Sequence, residues 1–460
     1  MRNIQFINRK KELETLESLR KKNFFMVVRG RRRIGKTTLL RKAFPDAVYI
    51  FIWPNKSYTW LVNQICTENN IPEFMNFTDI IRYLLDKNKI IIIDEFQNFL
   101  SIDKSVFGEM QKLIDERTIK KESLRIIVSG SSYSLIKKIF SLEASPLYGR
   151  RTDEMVLQEL PAEDLFVALK TNIEEFIKLW VVFGGVPYYY ALFEANVFVE
   201  KMITAMINER NSMLMDEGRA VLSVEFGGES KSYNTILTAI SEGKTRLNEI
   251  STLFSGKKGE TIKYLDLLRK EFNMVKRVTP ILSDPRKSRE GIYEINDNFL
   301  SFWFYFVDKQ RAYIEQERLD EVVAFFKENF SCFAGRKFEK FVVYLIKNKI
   351  IFSDFNFMKI GRQWGRIPDA KKGKNQYEID VVALNEEHML FGECKWKNKV
   401  NAREVLDGLW QKSCCVDAGK REKYFAVFAK SFSSKTKKYR ECPVFCFDLH
   451  DIGKAMKSRA

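Results

Sequence analysis

Two groups of residues have the types and spacing for chemistry on phosphates. In the first, Gly30-Arg31-Arg32-Arg33-Ile34-Gly35-Lys36-Thr37 matches GxxxxGK[ST] at every fixed position. At that spacing Gly30 and Gly35 let backbone N–H groups close around phosphates, Lys36 reaches the β- and γ-phosphates, and the Thr37 hydroxyl coordinates Mg²⁺. Gly30 through Thr38 are therefore the candidate ATP contacts. Ile90-Ile-Ile-Ile93-Asp94-Glu95 supplies the complement: Asp94 on the Mg²⁺ side and Glu95 as general base toward the attacking water. Ser129, ending a later apolar run, is placed to hydrogen-bond the γ-phosphate or that water, and Ser131 is the lesser choice.

The second group is Asp380, Glu393 and Lys395. Two carboxylates can hold Mg²⁺ against a phosphodiester, and a lysine can position the attacking water and offset developing charge. Residues 377–384 and 389–396 read as two strands. If Glu386 and Glu387 make a two-residue turn, paired numbers sum to 773 and Asp380 falls opposite Glu393. Glu393 and Lys395, two apart, share a face of their strand.

Apolar runs at 24–28, 48–53, 90–93 and 124–128 alternate with helical patterns, the signature of a buried parallel sheet. Residues 234–272 read as three short helices, the third with Ile262, Leu265, Leu268 and Phe272 on one stripe and Lys263, Arg269 and Lys270 off it. Strands over 275–282 and 291–295 follow, joined by a loop with the basic tip Arg286-Lys287-Ser288-Arg289. A winged helix-turn-helix is the economical reading, its tip able to touch phosphate beside a groove. The aromatic run 299–307 reads as core.

Composition narrows the function. With 45% hydrophobic and 30% charged residues the chain is that of a folded protein. Its 77 Lys and Arg against 60 Asp and Glu leave +17, which favours a polyanion such as DNA as partner. Residues 331–460 hold 27 basic against 15 acidic residues, so most of the excess is C-terminal. The Lys371-Lys372-Gly373-Lys374 loop and the 435–440 run would serve a phosphate backbone. Two histidines exclude His-rich zinc sites and chemistry built on several histidines. Seven cysteines without a CxxC pair, and no signal peptide, lead us to expect reduced thiols in a cytoplasmic protein. No apolar stretch approaches membrane-spanning length, so no membrane partner is expected.

Further motifs give the first third a family likeness. Phe6-Ile7-Asn8-Arg9-Lys10-Lys11-Glu12-Leu13, Leu147-Tyr148-Gly149-Arg150 and Gly184-Gly185-Val186-Pro187-Tyr188-Tyr189, together with the P-loop, resemble the archaeal-type ATPases of the AAA+/STAND superfamily. The resemblance implies that the Arg9 segment lies by the adenine and that a helical lid follows the core. Arg150, preferred over Arg151, is then expected to stabilise γ-phosphate charge in cis or from a neighbour in a homo-oligomer. The Asp-x(12)-Glu-x-Lys arrangement resembles the PD-(D/E)xK nucleases, in particular the domain fused to such ATPases. That resemblance implies a helical acid at Glu339, in the amphipathic helix start Ala334–Val342; Ile379 stands where the strict motif has Pro.

The expected fold class is α/β: a P-loop parallel-sheet ATPase core (1–160), a helical lid (161–225), a winged helix-turn-helix (226–310) and a restriction-endonuclease-like domain (311–460). The expected function is ATP hydrolysis coupled to DNA, with the nucleotide state gating a Mg²⁺-dependent nuclease. The alternatives are a DNA-binding switch that no longer cuts, and a protein-interaction ATPase without nucleic acid.

Overall fold

Phe24–Arg29 is apolar on both faces until its last residue, which in a parallel sheet marks a central strand. The computed structural model describes residues 6–191, 198–209, 212–226, 231–254, 258–367 and 375–459. These divide into two units. In the first, composed of residues 6–160, 186–191 and 221–226, helix α1 (Lys10–Leu19) precedes strand β1 (Phe24–Arg29) and helix α2 (Lys36–Ala43). Strands β2 (Val48–Phe51), β3 (Ile91–Asp94) and β4 (Arg125–Gly130), helix α3 (Tyr133–Phe140) and strand β5 (Asp153–Val156) follow. The strands form an all-parallel sheet of order β2-β3-β4-β1-β5. Every ligand-bearing loop thus leaves the same sheet edge, where open α/β sheets bind ligands.

Two glycines of the first motif are required by geometry. Gly35 lies at φ 94°, left-handed backbone that caps α2. A Cβ on Gly30 would come within 2.8 Å of the Leu157 carbonyl oxygen.

The second unit comprises the described residues within 161–185, 198–220 and 231–459. Helices α4 (Lys231–Ser241), α5 (Leu247–Ser251) and α6 (Lys258–Lys270) lead into an antiparallel pair, β6 (Val275–Val278) and β7 (Ile292–Ile295). On α6 the inward positions are Thr261, Leu265 and Leu268, so Ile262, expected in that stripe, is exposed. The strand expected over 275–282 stops at Val278, ahead of Pro280, which cannot donate to a ladder.

Helix α7 (Leu319–Lys347) is 29 residues long. Ala334–Val342 is its middle rather than a start, because Val322, Phe326, Phe330, Phe333, Phe338, Phe341 and Leu345 continue one buried stripe through Gly335. Strands β8 (Lys359–Arg366), β9 (Gln376–Leu384) and β10 (His388–Lys395) are followed by helix α8 (Ala402–Cys414). Strands β11 (Glu422–Ala429), β12 (Lys438–Tyr439) and β13 (Cys442–Phe447) complete a six-stranded sheet of order β12-β13-β11-β10-β9-β8. Ile379, Val382, Phe391, Phe425 and Val427 form its core with Leu406 and Leu409 of α8. Lys371–Lys374 lies outside the described residues. Among the described residues no helix is long and apolar enough to cross a membrane.

Candidate functional site

The P-loop motif occupies the β1–α2 connection, with Lys36 and Thr37 opening α2. Lys36 is buried, and its Nζ donates to the carbonyls of Gly30 (2.9 Å) and Arg31 (3.2 Å). Burial pushes its pKa down, against the pull of Glu95 and Asp94. Asp94, buried at the end of β3, accepts Thr37 Oγ1 (2.6 Å) and Tyr49 OH (2.8 Å) on one oxygen and Ser129 Oγ on the other. A carboxylate bonded to the P-loop hydroxyl has the hard-oxygen chemistry that suits Mg²⁺ beside a nucleotide. Burial first, and then the Asp94 charge, raise the Tyr49 pKa.

Glu95, in left-handed conformation at φ 55°, accepts Gln97 Nε2 and, at 2.8 Å, Ser131 Oγ. The two serines expected near the γ-phosphate or the attacking water bond different carboxylates. Ser129 is fully buried and braces Asp94, whereas Ser131 is the hydroxyl on the general-base candidate.

Arg9 ties the N-terminal segment to this loop, donating to the carbonyls of Gln158 (2.7 Å) and Ile34 (3.4 Å). Arg33, at φ 67°, has its guanidinium 4.1 Å from the Tyr188 ring centre, and Arg31 pairs with Glu159 at 3.4 Å. Arg32 and Thr38 are exposed. The guanidinium of Arg150 forms a two-pronged pair with Asp115 (2.9 and 3.0 Å) and donates to the Pro146 carbonyl. Arg151 pairs with Glu154.

In the second unit the ladder between β9 and β10 runs Leu384–Met389 to Val381–Gly392, pairs whose numbers sum to 773. One step beyond it, Asp380 Oδ2 accepts the Cys394 N–H at 2.9 Å. Lys395 Nζ donates to Glu393 Oε1 at 2.9 Å on the same face. Lys412, from α8, donates to both Glu393 oxygens at 2.9 Å. Sequence reasoning missed Lys412, since only the packing of α8 on the sheet brings it there; its neighbour Gln411 is exposed. Gln97 and Tyr49 were also missed. A polar residue two after Glu95 was a usable signal for Gln97, and nothing in the sequence pointed to Tyr49.

Glu339 on α7 faces this cluster. Burial, then the Asp380 charge, push its carboxyl up to about 8, with Arg362 acting the other way. Burial and then Glu393 raise Asp380 to about 6, opposed by the Cys394 N–H and both lysines. Lys395 is raised, because its bond to Glu393 and the surrounding carboxylates outweigh burial, the largest single influence. Carboxylates crowded until they hold protons are the donor chemistry of a hard divalent cation. Asp380 and Glu393 fit one, with Glu339 beside them. The basic run at 435–440 is partly neutralised: Lys435 pairs with Asp448 (2.8 Å) and Asp451 (2.7 Å), and Lys438 with Glu441 (2.5 Å).

A family model described as an AAA domain matches residues 22–160. One described as archaeal and bacterial proteins of unknown function matches residues 303–405. Among solved structures, a Walker-type ATPase of Pyrococcus abyssi aligns with TM-score 0.50 and 18% identity, over 66% of this chain and 97% of that one; that likeness is one of fold. The ORC2 protein of Aeropyrum pernix aligns at TM-score 0.37 and 14% identity, over 70% and 95% of the two chains, too loosely to bear on the argument. An uncharacterized protein of Methanocaldococcus jannaschii is 31% identical over 471 positions, spanning 97% of this chain and 100% of its own length. With a P-loop, Asp94 and Glu95 gathered at one sheet edge within the AAA match, the chain belongs to the family of that Methanocaldococcus jannaschii protein and carries an AAA-type ATPase domain.

Proposed function

We propose that the chain is an ATP-hydrolysing protein acting on DNA, with a Mg²⁺-dependent nuclease site in its second unit. In the first unit, Lys36 and the α2 amides bind the triphosphate, Thr37 and Asp94 hold Mg²⁺, and Glu95, steadied by Gln97 and Ser131, takes the proton of the attacking water. Release of Arg150 from Asp115 toward a nucleotide, in cis or in a homo-oligomer, would complete that site.

For the second unit, the observation that carries the reading is the convergence of Asp380, Glu393, Lys395 and Lys412 on one end of adjoining strands and a helix, faced by Glu339. A divalent cation bound by Asp380 and Glu393 supplies charge neutralisation at a phosphodiester and a water of lowered pKa. Lys395 orients that water, and Lys412 releases Glu393 and offsets charge at the scissile group. The strand order and acid positions support a restriction-endonuclease-like fold. Helices α4–α6 with the β6–β7 hairpin support a winged-helix module on the DNA path, consistent with the +17 charge.

A second reading, a DNA-binding switch that does not cut, is favoured by one observation: Glu393 is already fully paired by two lysines. Cleavage of supercoiled and linear DNA with Mg²⁺ or Mn²⁺, with and without ATP, separates the two. Cutting that disappears in Glu393→Ala and changes in Lys36→Ala supports the nuclease. DNA retention without cutting under either metal supports the switch.

A further inference from the structure

One guanidinium reaches three carboxylates, and one of them lies on an element that carries no member of the cluster. Arg362 on β8 contacts Glu378 on β9, lies 3.7 Å from Glu339 on α7, and reaches Glu294 of the upstream hairpin strand β7 at 3.3 Å. Glu294 is only 8% exposed. It also accepts Lys340 of α7, next to Glu339, at 2.8 Å, and lies 3.7 Å from Lys276 of β6. These cations hold its carboxyl at about 2, although burial, the largest influence, acts the other way.

Main-chain contacts seat the same hairpin on the same strand. Ile281 N–H donates to the Arg362 carbonyl (3.0 Å), Leu282 N–H to Gln363 Oε1 (3.2 Å), and Trp364 Nε1 to the Glu290 carbonyl (3.1 Å). Both the backbone and the side chain of Arg362 are thus held from the hairpin side. Nη1 and Nη2 of Arg362 bond Glu294 and Glu378, and this holds Nε, which makes no hydrogen bond of its own, 3.7 Å from Glu339.

We propose that Glu294 is a positioning residue of the carboxylate site: by drawing Arg362 toward the hairpin, it keeps Glu339 out of a tight ion pair and so sets how strongly Asp380 and Glu393 take up a divalent cation. This rests on the reading of that cluster as a cation site. With Glu294 neutralised, the guanidinium is no longer drawn to the hairpin and Nε closes on Glu339 in a charge-assisted pair that competes with the cation. The hairpin loop carries Arg286, Lys287 and Arg289, all exposed.

The test is Mn²⁺ binding to the nucleotide-free full chain, followed by calorimetry and by the paramagnetic signal of free Mn²⁺, with thermal unfolding of every variant. Asp380→Asn defines the site by abolishing it. Glu294→Gln is expected to weaken that site about tenfold, the scale on which partners of metal ligands act. Arg362→Gln is expected not to weaken it, and Glu294→Gln added to Arg362→Gln is expected to change affinity less than about twofold, as a double-mutant cycle requires of one residue acting through another. A purely structural Glu294 lowers the melting temperature and leaves Mn²⁺ affinity alone.

Unchanged affinity in Glu294→Gln, or equal weakening with and without Arg362, overturns the proposal and leaves the cation site standing. Absence of any Asp380-dependent Mn²⁺ binding overturns the cation site and the proposal with it. Should Glu294→Gln not fold, Glu294→Asp decides. A smaller weakening that vanishes in the Arg362→Gln background is expected, and unchanged affinity overturns the proposal.

Discussion

Loading the carboxylate cluster with a divalent cation should expel protons. Glu339 stands at about 8 and Asp380 at about 6 in the cation-free fold. At pH 7 the first is then roughly nine-tenths protonated and the second roughly one-tenth, so binding near pH 7 releases about one proton. If both must be ionised, affinity rises about a hundredfold between pH 6 and 8 and flattens above. The sign for stability is opposite to that of an ordinary ion-paired acid. A carboxyl raised in the folded state contributes stability below its unfolded value near 4.5, and that contribution is lost as pH climbs through about 8. The metal-free protein should therefore melt at lower temperature at pH 8 than at pH 5, and Mn²⁺ should offset the loss. Calorimetric titration of Mn²⁺ at pH 6, 7 and 8, in paired buffers of different ionisation enthalpy, measures the proton count directly; Asp380→Asn removes the contribution of this site. An Asp380-dependent binding heat independent of buffer, with affinity flat from pH 6 to 8, would refute the reasoning.

Other outcomes follow from the same geometry. Glu95→Gln should lower ATP turnover by a hundredfold or more while leaving nucleotide affinity near wild type, because a general base contributes about 10²–10⁴; parallel loss of binding would show a structural role. Gly130→Ala should destabilise the first unit by about 1–3 kcal/mol in urea unfolding, since a Cβ there would collide with Gln97 Oε1 and the Ile136 side chain. Lys412→Met should tighten Mn²⁺ binding and slow DNA cutting, for it frees Glu393 Oε2 and leaves only Lys395 on Oε1 while removing a cation from the site; a fall in both would contradict the role given to Lys412. Arg150→Ala should cost no more than about 1 kcal/mol of stability, because its pair with Asp115 is partly exposed, and a larger loss on melting would mark Arg150 as structural.

What could be read from the sequence was what lies close along the chain. The P-loop and the Asp94-Glu95 step are each contiguous, and each directly follows a run of buried strand residues. The β9–β10 register was legible for a similar reason: a two-residue connection leaves one pairing, and Asp380 and Glu393 follow from it by counting. The groups that finish both sites were illegible. Tyr49 meets Asp94 only because β2 pairs with β3, and Lys412 meets Glu393 only because α8 packs back on the sheet. Ser129 and Ser131 have equal chemistry on paper, and burial assigns one to Asp94 and the other to Glu95. The start of α7 was misplaced because the charged residues around Gly335 resemble a helix entry, while the aromatic stripe upstream of them carries the helix through. The Glu294–Arg362 contact joins residues 68 apart and has no local signature at all.

The make-up of the second unit has a consequence for biosynthesis. Its early helices, Ala162–Leu169 and Ile173–Phe183, are covered by the helix Leu449–Arg459: Ile173 packs against Gly453, and Lys457 lies over the Phe166 ring. The 265 residues between Phe183 and Leu449 are translated between the two partners. On the ribosome the sheet of the first unit can form while Phe166 and Ile173 still wait, exposed, for a helix not yet made. A chain interrupted before residue 449 would keep that apolar face open, a ready mark for chaperones and proteases.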